Sequence, residues 1–377
     1  MKLRYRILNT LVVIIALAVA ALWLVLAHDS PCPQSPRAPT GNAAHMTAAL
    51  YRCYGTPQVL KLEEVAQPVP APDELLVKVR AASVNPLDWH FLTGSPYIVR
   101  LDSGVGAPKD PRMGVDFAGV VAAVGAGVQH FKVGDAVFGG HDGAFAEYLT
   151  VRESRAVALK PDEVTFEQAA SLPIAAITAL QALRDKGKLQ AGQKVLINGA
   201  SGGVGTFAVQ LARWLGGEVT GVCSTRNVAL VRSLGADHVI DYTHEDFTRG
   251  TERYDLIIDN VGSHSLLEYR RAMTPHGKLV IVGVQSSAAA GGLLGGISTL
   301  LKAVILNPFV SQKFEPFLAQ LNPKDLNLLA DLVRQGKLNP VIDRRYPLAE
   351  LPAAMAYLEA GHARGKIIVD VGSEPAG

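Results

Sequence analysis

The run Lys194-Val-Leu-Ile-Asn-Gly199-Ala-Ser-Gly202-Gly203-Val-Gly205 decides how this chain is read. An apolar strand leads into a glycine turn. Beyond the turn, Val204, Phe207, Ala208, Leu211, Ala212 and Leu215 recur at the spacing of one helix face. Strand, glycine turn and helix in that order cradle a pyrophosphate, because glycines let backbone amides approach it and the helix N-terminus adds a partial positive charge. About twenty residues on, where an NAD enzyme usually carries an acid for the ribose hydroxyls, the chain reads Cys223-Ser224-Thr225-Arg226-Asn227. No acid stands there. Ser224 and Arg226 can instead donate to a 2′-phosphate, which favours NADPH over NADH.

Downstream of this motif strands and helices alternate. Strands are expected at Glu218 to Cys223, His238 to Tyr242, Tyr254 to Val261 and Lys278 to Gly283, several of them continuously apolar, as when both faces of a parallel sheet are covered. This predicts a doubly wound α/β domain. Upstream, residues 47–151 read as short strands broken by glycine turns, including Glu74 to Val84, 114–125 and 143–151, and near Phe166 the texture changes to alanine-rich helix.

The 377 residues suit two domains and an appendage. With 36 Lys plus Arg against 34 Asp plus Glu, the net charge of +2 excludes a polyanion-binding surface spread over the chain, so no nucleic-acid partner is expected. Three cysteines, Cys32, Cys53 and Cys223, are too few and too widely spaced for a disulfide framework or a four-thiolate zinc site.

Residues 11–27 contain no polar side chain, and with 7–10 they form a run of roughly 30 Å as a helix, long enough to cross a bilayer. Lys2, Arg4 and Arg6 precede it. The reading is a single-pass N-terminal membrane anchor, with a cleaved signal peptide as the alternative. Residues 28–45 read as a flexible linker. The flanking charges favour an outward-facing domain, yet NADPH is made and kept in the cytoplasm, so a cytoplasmic catalytic side is expected. A start at Met46, giving a form without the segment, is a further alternative.

These motifs, with Ala82-Ser-Val-Asn85-Pro86-Leu-Asp88-Trp89, Asp116-Phe-Ala-Gly119, Val133-Gly134-Asp135, the tract 169–183 and Arg364-Gly365-Lys366, resemble the medium-chain dehydrogenase/reductase superfamily, closest to its zinc-free quinone-oxidoreductase and enone-reductase branch. The resemblance covers about residues 47–371. It implies an α/β chain made of a GroES-like β domain and a Rossmann domain: anchor and linker at 1–45, catalytic domain at 46–171, NADP-binding domain at 172–312, and a segment at 313–377 that returns to the catalytic domain. A homodimer is expected.

Metal-dependent members carry a ligand Cys where this chain has Asn85, and Gly-His-Glu where it has Gly114-Val115-Asp116. No metal is therefore expected, and the isolated His90 and His141 do not rescue a site. Without a Lewis acid, hydride transfer to an electron-poor acceptor needs less help than oxidation of an alcohol, so reduction of a quinone or an α,β-unsaturated carbonyl is the expected direction. The resemblance puts Asn85 near nicotinamide and substrate, and Tyr97 is a phenolic donor on the following loop. Asp88 and Trp89 are expected to fix that loop. The expected cofactor contacts are Thr178, Ser201, Gly202, Gly203, Val204, Gly205, Ser224, Arg226, Tyr242, Asn260, Gly262, Gly283 and Lys366, with Val261 beside them. An alcohol or aldehyde dehydrogenase and a non-catalytic NADPH-binding protein are the competing readings. The apolar, glycine-rich stretch 291–306 reads as a cleft lid, a dimer contact, a membrane-facing patch or a buried helix.

Overall fold

The computed structural model describes residues 2–33, 44–283 and 297–372. Among the described residues, fifteen strands run in chain order. Those of the first half are β1 (His45–Leu50), β2 (Lys61–Ala66), β3 (Glu74–Val84), β4 (Asp116–Val124), β5 (Ala136–Gly140), β6 (Tyr148–Arg152) and β7 (Val157–Leu159). The second half holds β8 (Lys194–Asn198), β9 (Glu218–Cys223), β10 (His238–Asp241), β11 (Tyr254–Asp259), β12 (Met273–Ile281), β13 (Lys313–Pro316), β14 (Ile342–Pro347) and β15 (Lys366–Asp370).

The second-half sheet has the order β10-β9-β8-β11-β12-β13, and every neighbouring pair is parallel. Its strands are buried on both faces. Val195 and Ile197 of β8 pack with the helices Pro173–Gln181 and Gly203–Trp214, whereas Leu196 between them joins Leu266, Tyr269 and Ala303 on the opposite side. The order reverses direction between β8 and β11, which opens a crevice beyond their carboxyl ends.

The other large sheet has the order β14-β15-β3-β4-β5-β7, with β6 also on β3. Two of its registers position the site. Ser83 of β3 lies opposite Asp116 of β4, and Ile367 of β15 lies opposite Val84, so the end of β3 meets the start of both neighbours. After β3 come Asn85 and the helix α2 (Pro86–Thr93); with α1 (Lys2–Ala27) before it and α3 (Arg100–Ser103) after it, these are the helices of the N-terminal third.

The membrane-anchor reading is corrected here. Among the described residues, no helix is long and apolar enough to cross a membrane. The C-terminal end of α1 is moreover fixed to the catalytic half: Leu26 is fully buried, and the Leu26 carbonyl accepts a 2.8 Å hydrogen bond from the Arg100 guanidinium. The single-pass topology and the membrane partner fall with the anchor. The linker reading is corrected for residues 28–33. Ser30 N donates to Gly106 O at 2.8 Å, Asp29 pairs with Arg100, and Cys32 forms a disulfide with Cys53. That disulfide also corrects the cysteine reading, because spacing along a chain says nothing about which thiols the fold brings together. Met46 is a buried residue of β1 paired with Val65. Of the stretch 291–306, residues 291–296 lie outside the described residues; the helix Ile297–Leu306 buries Ala303 and exposes Leu301, Val304 and Ile305.

Candidate active site

Four residues, Ser83, Asn85, Asp116 and Lys366, form one buried knot where β3, β4 and β15 converge. Asp116 Oδ2 accepts from Ser83 Oγ at 3.0 Å and Asn85 Nδ2 at 2.9 Å, and its Oδ1 accepts from Ile174 N at 3.0 Å. Lys366 Nζ donates to Asn85 Oδ1 at 2.6 Å and stands 3.5 Å from Asp116 Oδ2. The second amide hydrogen of Asn85 goes to Ser83 O at 3.2 Å. Both donors of Asn85 are thus directed into the protein, and the side chain is 1% exposed. Burial pushes the Asp116 carboxyl up and the Lys366 ammonium down, each toward its neutral form, while their mutual attraction and the hydrogen bonds oppose the shift.

Asn85 also begins α2. Its backbone amide donates to Asp88 Oδ2 at 2.7 Å, the capping arrangement that holds a helix start. Asp88 is buried, and loss of solvation pushes its carboxyl up to about 8, with Asp116 adding to the rise and Lys366 opposing it. This bond ties Asp88 to the start of α2.

The nucleotide crevice is built from the turn after β8. Gly199 has φ +77°, which an L side chain rarely adopts. A Cβ at Gly205 would overlap the Gly199 carbonyl oxygen, so only glycine lets this helix start so close to the strand end. No side chain caps the helix Gly203–Trp214, which leaves its first amides free for an anion. Asn227 Nδ2 donates to Ser201 Oγ at 2.9 Å and Ser224 Oγ at 3.3 Å, gathering those hydroxyls at one edge. Asn227 Oδ1 and Asn260 Oδ1 are buried without partners, as acceptors facing a missing donor would be. Asn260 Nδ2 donates to Asn198 O at 2.9 Å across the switch point, Gly262 N donates to Asp259 Oδ1 at 3.0 Å, and Gly283 N donates to Asp259 O at 3.0 Å. An uncapped helix start, a glycine-rich turn and two orphaned amide oxygens fit a dinucleotide.

The structure joins Ser201 with Ser224, and Lys366 with Asn85; the Lys366 stem also reaches the turn, its Cδ 3.5 Å from where a Gly203 Cβ would lie. Gly202 and Val204 belong to the same half-buried turn. Thr178 is 8% exposed on the helix whose first turn binds Asp116. Arg226 is exposed and donates from Nη2 to His362 O at 3.0 Å, while Tyr242 is 62% exposed at the rim. Tyr97 is half-buried, with its ring 4.6 Å from the Arg100 guanidinium. Sequence reasoning missed Asn227 and Arg100, which look like ordinary helix residues until their partners are seen. It also missed the bond between Asn198 and Asp259 at 2.9 Å that ties the ends of β8 and β11. A separate cavity of about 350 Å3 lies under the β1–β2 ribbon, lined by Met46, Leu50, Val65, Phe145 and Tyr148, and shares no residue with the crevice.

Comparison with known proteins places this geometry. Residues 71–162 match the alcohol dehydrogenase GroES-like domain and residues 234–369 match the zinc-binding dehydrogenase domain. The mouse mitochondrial NAD(P)H oxidoreductase RTN4IP1 is 34% identical, over 94% of this chain and 97% of that protein. This chain belongs to the medium-chain dehydrogenase/reductase superfamily. The superfamily member described here lies in the quinone-oxidoreductase and enone-reductase branch and is an oxidoreductase using a nicotinamide cofactor. It is also 34% identical to the chloroplastic NADPH-dependent alkenal/one oxidoreductase of Arabidopsis thaliana, over 86% of this chain and 79% of that one. The quinone oxidoreductase structure from Coxiella burnetii aligns with a TM-score of 0.75 at 33% identity, covering 87% of this chain and all of that one. One matched domain is described as zinc-binding, yet among the described residues no three His, Cys, Asp or Glu side chains converge to hold a metal ion.

Proposed function

We propose that this superfamily member is a zinc-independent, NADPH-dependent reductase of quinones or α,β-unsaturated carbonyls. One observation carries the reading. Where metal-dependent relatives place a ligand Cys this chain has Asn85, whose amide is committed to Asp116 and Lys366, and where they place a ligand His it has Val115, which carries no ligating atom. A site so built lacks a Lewis acid to stabilise an alkoxide and suits an acceptor that is already electron-poor. When bound, the reduced nicotinamide supplies hydride.

The chain's own residues hold and orient. The turn 201–205, Thr178, Asn260, Gly262 and Gly283 line the crevice at the switch point, with Tyr242 at its rim. Ser224 and Arg226 take the 2′-phosphate, Arg226 leaving the His362 carbonyl to do so. With both its donors committed, Asn85 acts as a positioning residue: it locks the start of α2 and hence the loop carrying Tyr97. The Tyr97 phenol donates to the oxygen on which charge develops as the acceptor is reduced. A homodimer, to be checked by sedimentation equilibrium, belongs to the same reading.

The test is a pair of titrations and a screen. NADPH should bind at least tenfold tighter than NADH, about 1.4 kcal/mol, and Arg226→Ala should erase most of that preference. Equal affinities in the parent protein would overturn the NADPH assignment. Stopped-flow oxidation of NADPH should be driven by quinones, enones or enals and not by simple aldehydes. Turnover of simple alcohols with stoichiometric zinc, read by elemental analysis, would overturn the acceptor class.

A further inference from the structure

Arg100 heads the largest fully buried side chains of the described residues, and it lies outside the knot. Its guanidinium is held from two sides. From the loop after α2 come the Gly94 carbonyl, 2.8 Å from Nε, and the Thr93 carbonyl, 3.4 Å from Nη2. From the end of α1 and the segment after it come the Leu26 carbonyl at 2.8 Å, the His28 carbonyl at 3.3 Å and the Asp29 carboxylate at 2.8 Å, all on Nη1. The Tyr54 and Tyr97 rings cover its plane at 4.4 and 4.6 Å. A buried guanidinium needs a counter-charge, and among the described residues Asp29 is the carboxylate that supplies it. The same segment is pinned twice more, by Ser30 N to Gly106 O and by the disulfide from Cys32 to Cys53, the neighbour of Tyr54. Tyr54 in turn donates to Gly104 O at 2.6 Å.

We propose that residues 26–32 form a strap that fixes the loop 93–106, with Arg100 as the positioning residue, and that the strap thereby sets the affinity for the electron acceptor. The strap supplies the charge that lets Arg100 stay buried, and Arg100 supplies the flat surface on which Tyr97 rests; lysine offers neither the plane nor the fork of donors. The proposal rests on the placement of Tyr97 beside the acceptor.

The experiment uses the full chain with Cys32→Ser, Asp29→Ala and Tyr97→Ala, read by hydrogen exchange and by steady-state kinetics with 1,4-naphthoquinone. The two strap variants should speed exchange over residues 93–106 and raise the acceptor KM at least fivefold, with the NADPH Kd, from nicotinamide fluorescence, held within twofold. Exchange and KM both within twofold of the parent in both strap variants, while Tyr97→Ala raises KM, overturn the strap and leave the proposed function standing. Faster exchange with no change of KM in the strap variants or in Tyr97→Ala overturns the placement of Tyr97, and the effect on acceptor affinity with it. Cys32→Ser removes one covalent tie and keeps the Arg100 pair, so it remains informative where Asp29→Ala fails to fold.

Discussion

Asp88 has one carboxyl oxygen, Oδ2, on the Asn85 amide and another, Oδ1, buried with no partner. Loss of solvation raises its pKa to about 8, so the folded protein keeps a proton that the unfolded chain releases near 3.8, the ordinary aspartate value. The stability due to this proton is complete below that lower value. It declines as pH rises toward 8, by at most about 1.4 kcal/mol per pH unit, and is flat above. Asp88→Asn keeps an acceptor for the Asn85 amide and does not titrate. The Tm of the variant minus that of the parent should therefore grow more positive from pH 5 to pH 8, and a constant difference would contradict the burial argument. At this scale the sequence named Asn85, near nicotinamide and substrate, and Lys366, among the cofactor contacts, but did not join them. Their bond spans 281 positions, and no local pattern encodes it.

Among the elements, the turn between β8 and the helix Gly203–Trp214 was fully legible, because glycine and apolar spacing are local properties. It allows a sharp contrast. Gly205→Ala drives a methyl group into the Gly199 carbonyl and should destabilise the protein by about 2 kcal/mol or more and weaken NADPH binding at least tenfold. At Gly202 the nearest atom to an added Cβ is the Gly199 oxygen at 3.5 Å, and the backbone is extended, so Gly202→Ala should cost less than about 1 kcal/mol. Urea unfolding and fluorescence titration of the two variants check both parts. The N-terminal helix was misread for the opposite reason. Hydropathy measures apolar length, whereas what fixes the end of α1 is a set of carbonyls and one carboxylate that meet an arginine 71 to 74 residues away.

Across the molecule, the Lys366 side chain connects the two halves: its stem lies by the nucleotide turn and its ammonium in the knot of the catalytic sheet. Lys366→Met should cost about 3–5 kcal/mol, since it leaves Asp116 buried without its counter-charge. Adding Asp116→Asn should recover more than half of that loss, and strictly additive losses in chemical denaturation would show the pair to be uncoupled. The two-domain plan was readable from the change of texture along the chain, but not the site between the domains, which exists only when the C-terminal strand has returned.

That return has a consequence in time. β15 lies between β14 and β3, so residues 81–84 of β3 lack one neighbour until their partners 367–370, 283 to 289 positions further on, have been made. At ordinary rates of synthesis the gap lasts about 15 to 60 s. Throughout that interval the nascent protein presents an open sheet edge rich in apolar side chains, the kind of surface that chaperones cover and that otherwise recruits a neighbouring chain.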